Sequence, residues 1–373
     1  MTAAADGGSR PFQCANCRRP YPPTGLPHIC PQCGGVYEFA APLIYRPIDA
    51  SGIERYRQTF PLPDGAPLVS LGEGNTPLIF VELAGRSVHL KCDYLNPTGS
   101  FKDRGSAVLL SWLQAEGVTE VVEDSSGNAG ASLAGYAARA GIAARIFIPD
   151  YAAGLKRAQI EAYGAEVVRI LGPRSAAAEA VLNQVEQGAV YASHAHLPHG
   201  LAGMATLAFE LYEQLGMAPG AVILPVGQGT LMLGAHLGFE ALRSAGRIEA
   251  LPQWVAVQAL ACAPLWGVLH GGAAGLLWTK ERETVAEGIR ILRPHRGDAI
   301  LRAIGASGGR AAAVEEEEIR QGRAELARRG FLVEPTSAVV WPALVSEMAE
   351  LPDPIVVVLT GAGYKDMRQE DAG

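Results

Sequence analysis

From Val88 onward the chain switches repeatedly between two hydrophobic rhythms. Short apolar or alternating runs (VHLKCDY, TEVVED, ARIFIPD, AEVVRIL, AVYAS) read as strands. Between them lie stretches with helical spacing: KDRGSAVLLSWLQAEG with a stop at Gly117, NAGASLAGYAARAG ending at Gly141, GLKRAQIEAYG and SAAAEAVLNQVEQG. Strands alternating with helices of this length predict parallel sheet with crossover helices. A second block follows the same pattern. MATLAFELYEQLG is a helix from Met204, and GAVILPVGQGTLMLGAHLGFEALRSAG is strand, glycine-rich turn and helix. QWVAVQAL is a strand, VEEEEIRQGRAELARRG and PTSAVVWPALVSEMAEL are helices, and DPIVVVLTGAGYKD is a buried strand running into a loop. Two α/β lobes with a cleft between them are expected. Ahead of Val88 the rhythm is absent. Residues 1–11 read as a flexible tail, 12–40 are rich in Cys, Pro and aromatics, and 41–90 carry many prolines and then LGEGNTPLIFVEL.

Composition narrows the class. A chain of 373 residues exceeds one ordinary core. With 49% hydrophobic and 18% charged residues it reads as well packed rather than disordered. A formal charge of −7, with no basic stripe, argues against nucleic acid or an anionic membrane surface as partner. The opening MTAAADGGSRPF has neither a basic nor an apolar targeting region, and no run of about twenty apolar residues survives without Gly, Pro or charge. A cytoplasmic, reducing setting fits the cysteine usage.

Four of the six cysteines cluster. CANC at Cys14 and Cys17 and CPQC at Cys30 and Cys33 form two C-x-x-C hairpins, the pattern of a tetrahedral four-sulfur site suited to structural zinc. Cys92 and Cys262 are read as buried thiols.

The candidate chemistry centres on NPTGSFKDRG. This is not a phosphate-binding G-x4-G-K-[ST] loop. Lys102 falls in the first turn of a helix, where the dipole disfavours its charged form and favours the neutral amine needed for a Schiff base. Asp103 and Arg104 read as helix-end charge and salt-bridging groups. DSSGNAG, at a strand-to-helix junction, offers N–H groups and hydroxyls to a carboxylate, and Asn128 reaches toward a ring hydroxyl. PVGQGTL lets the backbone close on a phosphate at Gly227 and Gly229. LTGAG ends a buried strand with Thr360 facing the cleft. Four such features at strand ends of an α/β chain point to one site.

Taken in order, LGEGNTPL, LNPTGSFKDRG, SSGNAGASLAGYAARAG, PVGQGTL, EPTSA and LTGAGYKD resemble the fold-type II pyridoxal-phosphate enzymes, and within them the threonine synthase group, over roughly residues 70–370. The resemblance implies a tryptophan synthase β-like fold. Residues 41–93 and 206–373 would make the larger cofactor-binding domain, and 94–205 the smaller domain carrying the lysine, with a zinc ribbon over 12–40. It implies Lys102 as the Schiff-base lysine, Asn128 at the cofactor's 3′-oxygen and Thr360 at its pyridine nitrogen. Gly227, Gln228, Gly229, Thr230 and Leu231 would cradle its phosphate. Ser125, Ser126, Gly127 and Ala129 would surround the carboxylate of a small amino-acid substrate, and a homodimer is expected. The implied reaction is conversion of O-phosphohomoserine to threonine and phosphate. A serine/threonine ammonia-lyase, or another β-eliminating enzyme of the same fold, is the alternative.

The pattern departs from the group in HAHLPHGLAGMATLAFEL. Gly200 stands where an arginine for the substrate phosphate is expected, and PVGQGTLMLG is closer to the dehydratase loop. His194, His196 and His199 in this stretch are candidates for substrate contact, for a metal, or for ordinary loop positions. EEEE at 315–318 reads as an acidic helix start. EPTSA reads equally as a cofactor-facing segment and a plain helix start.

Overall fold

The computed structural model describes residues 10–152 and 154–366. The expected tail over 1–11 therefore lies, for residues 1–9, outside the described residues. Its last part is anchored: Arg10 donates to the carbonyls of Pro22 and Gly25 and pairs with Glu116 at 2.6 Å.

Two parallel-rich sheets form the body. The larger has six strands in the order Arg310–Val314, Gln253–Ala259, Ala221–Pro225, Ile355–Val358, Arg86–Lys91 and Leu78–Leu83. Its central runs AVILP and IVVV are buried throughout, as strands covered on both faces must be. The strand Leu78–Leu83 alone runs antiparallel, joined to Arg86–Lys91 by a two-residue turn with positive φ at Ala84 and Gly85. The second sheet is wholly parallel, ordered Glu166–Ile170, Ala143–Pro149, Glu120–Glu123, Val190–Tyr191. The cysteine-rich segment adds a two-stranded antiparallel ribbon, Phe12–Cys14 with Tyr37–Phe39. Cys92 and Cys262 are buried, and among the described residues no helix is long and apolar enough to cross a membrane.

Glu315 closes a reciprocal capping box with Glu318, so EEEE is a helix start. The strand Arg310–Val314 and the helices Pro264–Gly271 and Gly297–Ala306 were not legible as elements. The strand is RAAAV, whose alanines carry little strand preference, and its partner in the sheet defines it.

The most informative difference is at Gly200. The helix expected from Met204 begins at Gly200 and runs to Leu215. Its first turn, GLAG, looks like loop, yet it crosses the lysine helix Lys102–Ala115 at backbone contact. A Cβ added at Gly203 would lie 1.9 Å from the Arg104 carbonyl oxygen, and one at Gly200 would lie 3.2 Å from that of Gly105. Small residues are required there by the neighbouring helix, which a one-dimensional pattern does not display. Gly203→Ala should therefore destabilise the fold by about 1–3 kcal/mol or more, read as a lowered denaturation midpoint, while Gly216→Ala, beyond the helix end, tests only the positive φ of a cap.

Candidate active site

Lys102 is the first residue of its helix, and the chain on either side of it is fixed. The Phe101 N–H donates to the Thr360 carbonyl at 3.0 Å, and Ser100 bridges Gly361, so the lysine turn is stapled to the LTGAG loop. Asp103 turns back to accept from the Thr98 N–H at 2.7 Å, the Thr98 hydroxyl at 2.5 Å and the Ser132 hydroxyl at 2.6 Å. Arg104, fully buried, makes paired contacts to Asp93 at 2.8 and 2.8 Å and to Glu210 at 2.7 and 2.8 Å. Lys91 joins the same group at 2.7 Å from Glu210. Burial pushes the Glu210 carboxyl up, but Arg104 and Lys91 overcome it and hold it at about 2. Arg104 is thus the salt-bridging residue expected; Asp103 acts through hydrogen bonds alone, and burial raises its carboxyl to about 6.

The Lys102 Nζ lies 2.6 Å from Nε2 of His194. Its pKa falls from the ordinary lysine range to about 7. Burial is the main cause; Glu123 and Glu334 oppose it and Arg174 adds to it. Desolvation in the cleft does most of the lowering, beyond what a helix N-terminus alone imposes. Burial, then the Lys102 charge, likewise drives the His194 imidazole well below its usual range, and its Nδ1 is buried without a partner among the described residues. Near neutral pH the lysine thus moves between its charged and neutral forms while the neutral His194 ring holds it by a hydrogen bond.

The expected loops converge on this amine. Asn128 opens the helix Asn128–Ala140 and donates Nδ2 to both Glu334 oxygens, at 2.8 and 3.0 Å; its Oδ1 is buried and unpaired among the described residues. Gly127 precedes that helix, with its N–H on the Ser125 hydroxyl at 3.3 Å, and Ser125, Ser126 and Ala129 are half-buried beside it. Thr360 is buried at the end of Ile355–Val358, its N–H on Ser337 at 2.8 Å. The turn Gly227–Leu231 leads into the helix Thr230–Ser244. Gly229 has φ +74°, and a Cβ there would lie 2.2 Å from Ile300; at Gly227 it would lie 3.0 Å from the Ile289 Cα. No side chain fits at Gly227 or Gly229, so the backbone amides of the turn stay uncovered at those two positions. Gln228 takes the N–H of His295 at 3.1 Å, which ties this turn to the histidine-bearing loop.

Three participants escaped the sequence reading. Glu334 is the residue before the Pro335–Ala338 helix, so EPTSA is a helix start, and its carboxylate also accepts from Asn128 in the cleft. Lys156 pairs with it at 3.0 Å and with Asp366 at 2.7 Å. Glu123 ends the strand Glu120–Glu123, and burial, then Asp124, drives its carboxyl well above the usual range. The only available signal was a carboxylate at a strand's C-terminal end, which is common in surface loops. The three loop histidines point three ways. His194 reaches Lys102, and His199 is buried between Trp112 at 3.7 Å and Phe12 at 4.4 Å between ring centroids. His196 faces other imidazoles. Among the described residues the group arranged to hold a metal is Cys14, Cys17, Cys30 and Cys33, whose sulfurs all lie within 4.8 Å of one another.

A family model described as pyridoxal-phosphate dependent enzyme matches residues 69–361. The chain is similar to the threonine synthase of Methanocaldococcus jannaschii, 34% identical over 377 residues, covering 95% of this chain and 92% of that protein. It is 36% identical over 324 residues to the threonine synthase of a Synechocystis species, covering 84% and 83%. Among solved structures it resembles the serine racemase of Dictyostelium discoideum, with a TM-score of 0.66, 25% identity, and coverage of 78% of this chain and 93% of that one.

The lowered pKa has a direct consequence. With a midpoint of about 7, half of the Lys102 amines are neutral at that pH, against well under one in a hundred for an ordinary lysine. In protein stripped of any bound aldehyde, the rate of Lys102 labelling by an amine-specific reagent should rise through pH 7 and level off by about pH 8. A midpoint near 10 would refute the assignment.

Proposed function

The chain belongs to the pyridoxal-phosphate-dependent enzymes as a threonine synthase-like lyase, and from that premise we propose that its substrate is O-phosphohomoserine, converted with water to threonine and phosphate. The observation that carries the reading is the neutral Lys102 amine at 2.6 Å from His194, enclosed by the serine, glycine and threonine loops. The residues present fit the cofactor. Gly227 and Gly229 are positions where no Cβ fits, which keeps the backbone of the turn bare, and Asn128 keeps a buried oxygen free for a ring hydroxyl. Lys102 would hold the cofactor at Nζ, the Gly227–Leu231 amides its phosphate, Asn128 its ring oxygen and Thr360 its ring nitrogen. Bound there, the cofactor supplies an electron sink for negative charge at the substrate's α-carbon. Thr360, a neutral partner, withdraws less charge from the ring than a carboxylate would, which favours elimination and replacement.

The chain's own groups do the rest. Ser125, Ser126, Gly127 and Ala129 bind the substrate carboxylate at a helix N-terminus, which favours anions. Lys102 takes protons from the substrate's α- and β-carbons and returns them, as its lowered pKa permits at neutral pH. His194 orients Nζ through its Nε2. The γ-carbon–oxygen bond breaks and phosphate leaves with its electron pair. Water's hydroxyl adds at the β-carbon, its remaining proton goes to the phosphate, and the proton lost from the β-carbon is balanced by one gained at the γ-carbon.

Ammonia-lyase activity on serine or threonine is the second reading. It is favoured by the PVGQGTL turn and by Gly200, which packs on Gly105 and offers no side chain to a substrate phosphate. The four cysteines are proposed to hold one structural zinc, since tetrahedral thiolates suit it and the ribbon around them is too small to build a core of its own.

Two measurements follow. Purified holoenzyme should release one phosphate per threonine from O-phosphohomoserine, and Lys102→Ala should abolish this by at least about a thousandfold; ketoacid from threonine or serine without phosphate release would move the assignment to the second reading. Cys14→Ser should reduce bound zinc well below one per chain and lower the melting temperature, and a variant with full metal content would refute the site.

A further inference from the structure

Three imidazoles from three separate parts of the chain meet beside the lysine. His28 comes from the cysteine segment, His196 from the loop two residues past His194, and His295 from the segment before the Gly297–Ala306 helix. The ring centroids of His28 and His196 are 5.2 Å apart, and those of His196 and His295 are 4.0 Å apart. Tyr191 closes the group at 5.3 Å from His28 and 5.4 Å from His196, its hydroxyl donated to Asp124 at 2.7 Å. The next residue after His295, Arg296, is buried. It donates Nη1 to the Tyr37 carbonyl at 2.5 Å and Nη2 to the His196 carbonyl at 2.7 Å, clamping ribbon and loop together. Its Nε is buried and finds no partner among the described residues. The carboxylate whose charge it feels, Glu38, is engaged by Arg18.

A buried guanidinium served only by carbonyls, beside three imidazoles of which His196 has its Nδ1 at 3.2 Å from the Ser193 hydroxyl, is a cationic cluster short of an anion. Among the described residues Asp124 is the carboxylate facing the cluster, and Tyr191 occupies it. The position is defined by two contacts. His194, two residues from His196, touches the reacting amine, and the His295 N–H binds Gln228 in the glycine turn. The cluster is thus joined both to the histidine that touches Lys102 and to the glycine turn. The arginine expected at Gly200 has no space, since that backbone lies against Gly105.

We propose that His28, His196 and His295, backed by Arg296, form the subsite for the anionic phosphoester group of the substrate, and that the cysteine segment is thereby part of the active site. The proposal rests on the phosphohomoserine reading above. Ring N–H groups can donate to phosphate oxygens, and Arg296 supplies the charge. His28 is then a specificity residue delivered by the ribbon, so a chain lacking that segment would keep its cofactor site and lose its hold on the leaving group.

The test uses holoenzyme, in which the cofactor's own phosphate fills the glycine turn, and inorganic phosphate as the probe, followed by equilibrium dialysis. His28→Ala, His196→Ala and His295→Gln should each weaken phosphate binding about tenfold or more and raise KM for O-phosphohomoserine in proportion, with a smaller change in kcat. The cofactor absorbance band, and its shift on adding L-2-aminobutyrate, which carries no phosphate, should be unchanged. If His28→Ala or His196→Ala fails to fold, His295→Gln decides alone, because the hydrogen bond that His295 gives to Gln228 is made by its backbone. Unaltered phosphate binding in the folded variants, absence of phosphate binding by the wild type, or equal weakening toward L-2-aminobutyrate would each overturn the proposal. If wild type binds phosphate, the variants lose it, and O-phosphohomoserine is nonetheless not turned over, the subsite stands and the phosphohomoserine reading falls.

Discussion

Beneath the reactive lysine, two cations and two carboxylates are packed together in the protein interior: Arg104 and Lys91 against Asp93 and Glu210. Desolvating four charges is expensive, and the arrangement holds because nearly every donor and acceptor is used. Thr76 gives its hydroxyl to Asp93 and its carbonyl to Lys91, Thr206 accepts from Arg104, and the Asn75 N–H donates to Glu210. Asp93 follows one sheet strand, Glu210 lies on the crossing helix and Arg104 on the lysine helix, so the group ties three elements at one point. Removing one partner from such a set costs about 3–5 kcal/mol because a bare charge stays behind. The position of Lys102, two residues from Arg104, follows from this anchor.

That anchor also accounts for the LGEGNTPL motif. Glu73 accepts from the Leu71 N–H and from the Tyr136 hydroxyl, and Gly74 donates to Asn96. The segment wraps the buried charges and does not itself reach the amine. Rigid support below and half-buried loops above produce the chemistry. Lys102 is held where water is scarce, and that scarcity leaves about half of its amine neutral near pH 7. His194 and Glu123 share the same desolvated cleft, so the protonation of each depends on the charge of Lys102.

The ribbon is joined to this machinery at several points. Phe12 and Tyr21 pack on His199, which stacks on Trp112 of the lysine helix. Arg296 reaches the ribbon's Tyr37 carbonyl from the larger sheet's side of the cleft. A small segment that cannot bury its own core thus borrows one from the catalytic body, and in return brings His28 to the cleft. The same packing explains His199, whose fully buried ring is an aromatic filler between two elements.

Local pattern alone determined a good deal here. The alternation of strand and helix, the glycine stop at Gly117, the capped start at EEEE, the pairing of two C-x-x-C hairpins and the loops at strand ends are all written within a few residues of one another, because hydrogen-bond periodicity and turn geometry are short-range. Tertiary structure decided what depends on distant neighbours. Gly200 and Gly203 look like loop until another helix lies against them. Glu334 joins Asn128 across 206 residues, and Lys102 meets His194 across 92. Desolvation, which sets the lysine's protonation, belongs to the cleft as a whole. No stretch of sequence carries it, since it arises only when segments distant in sequence close around one amine.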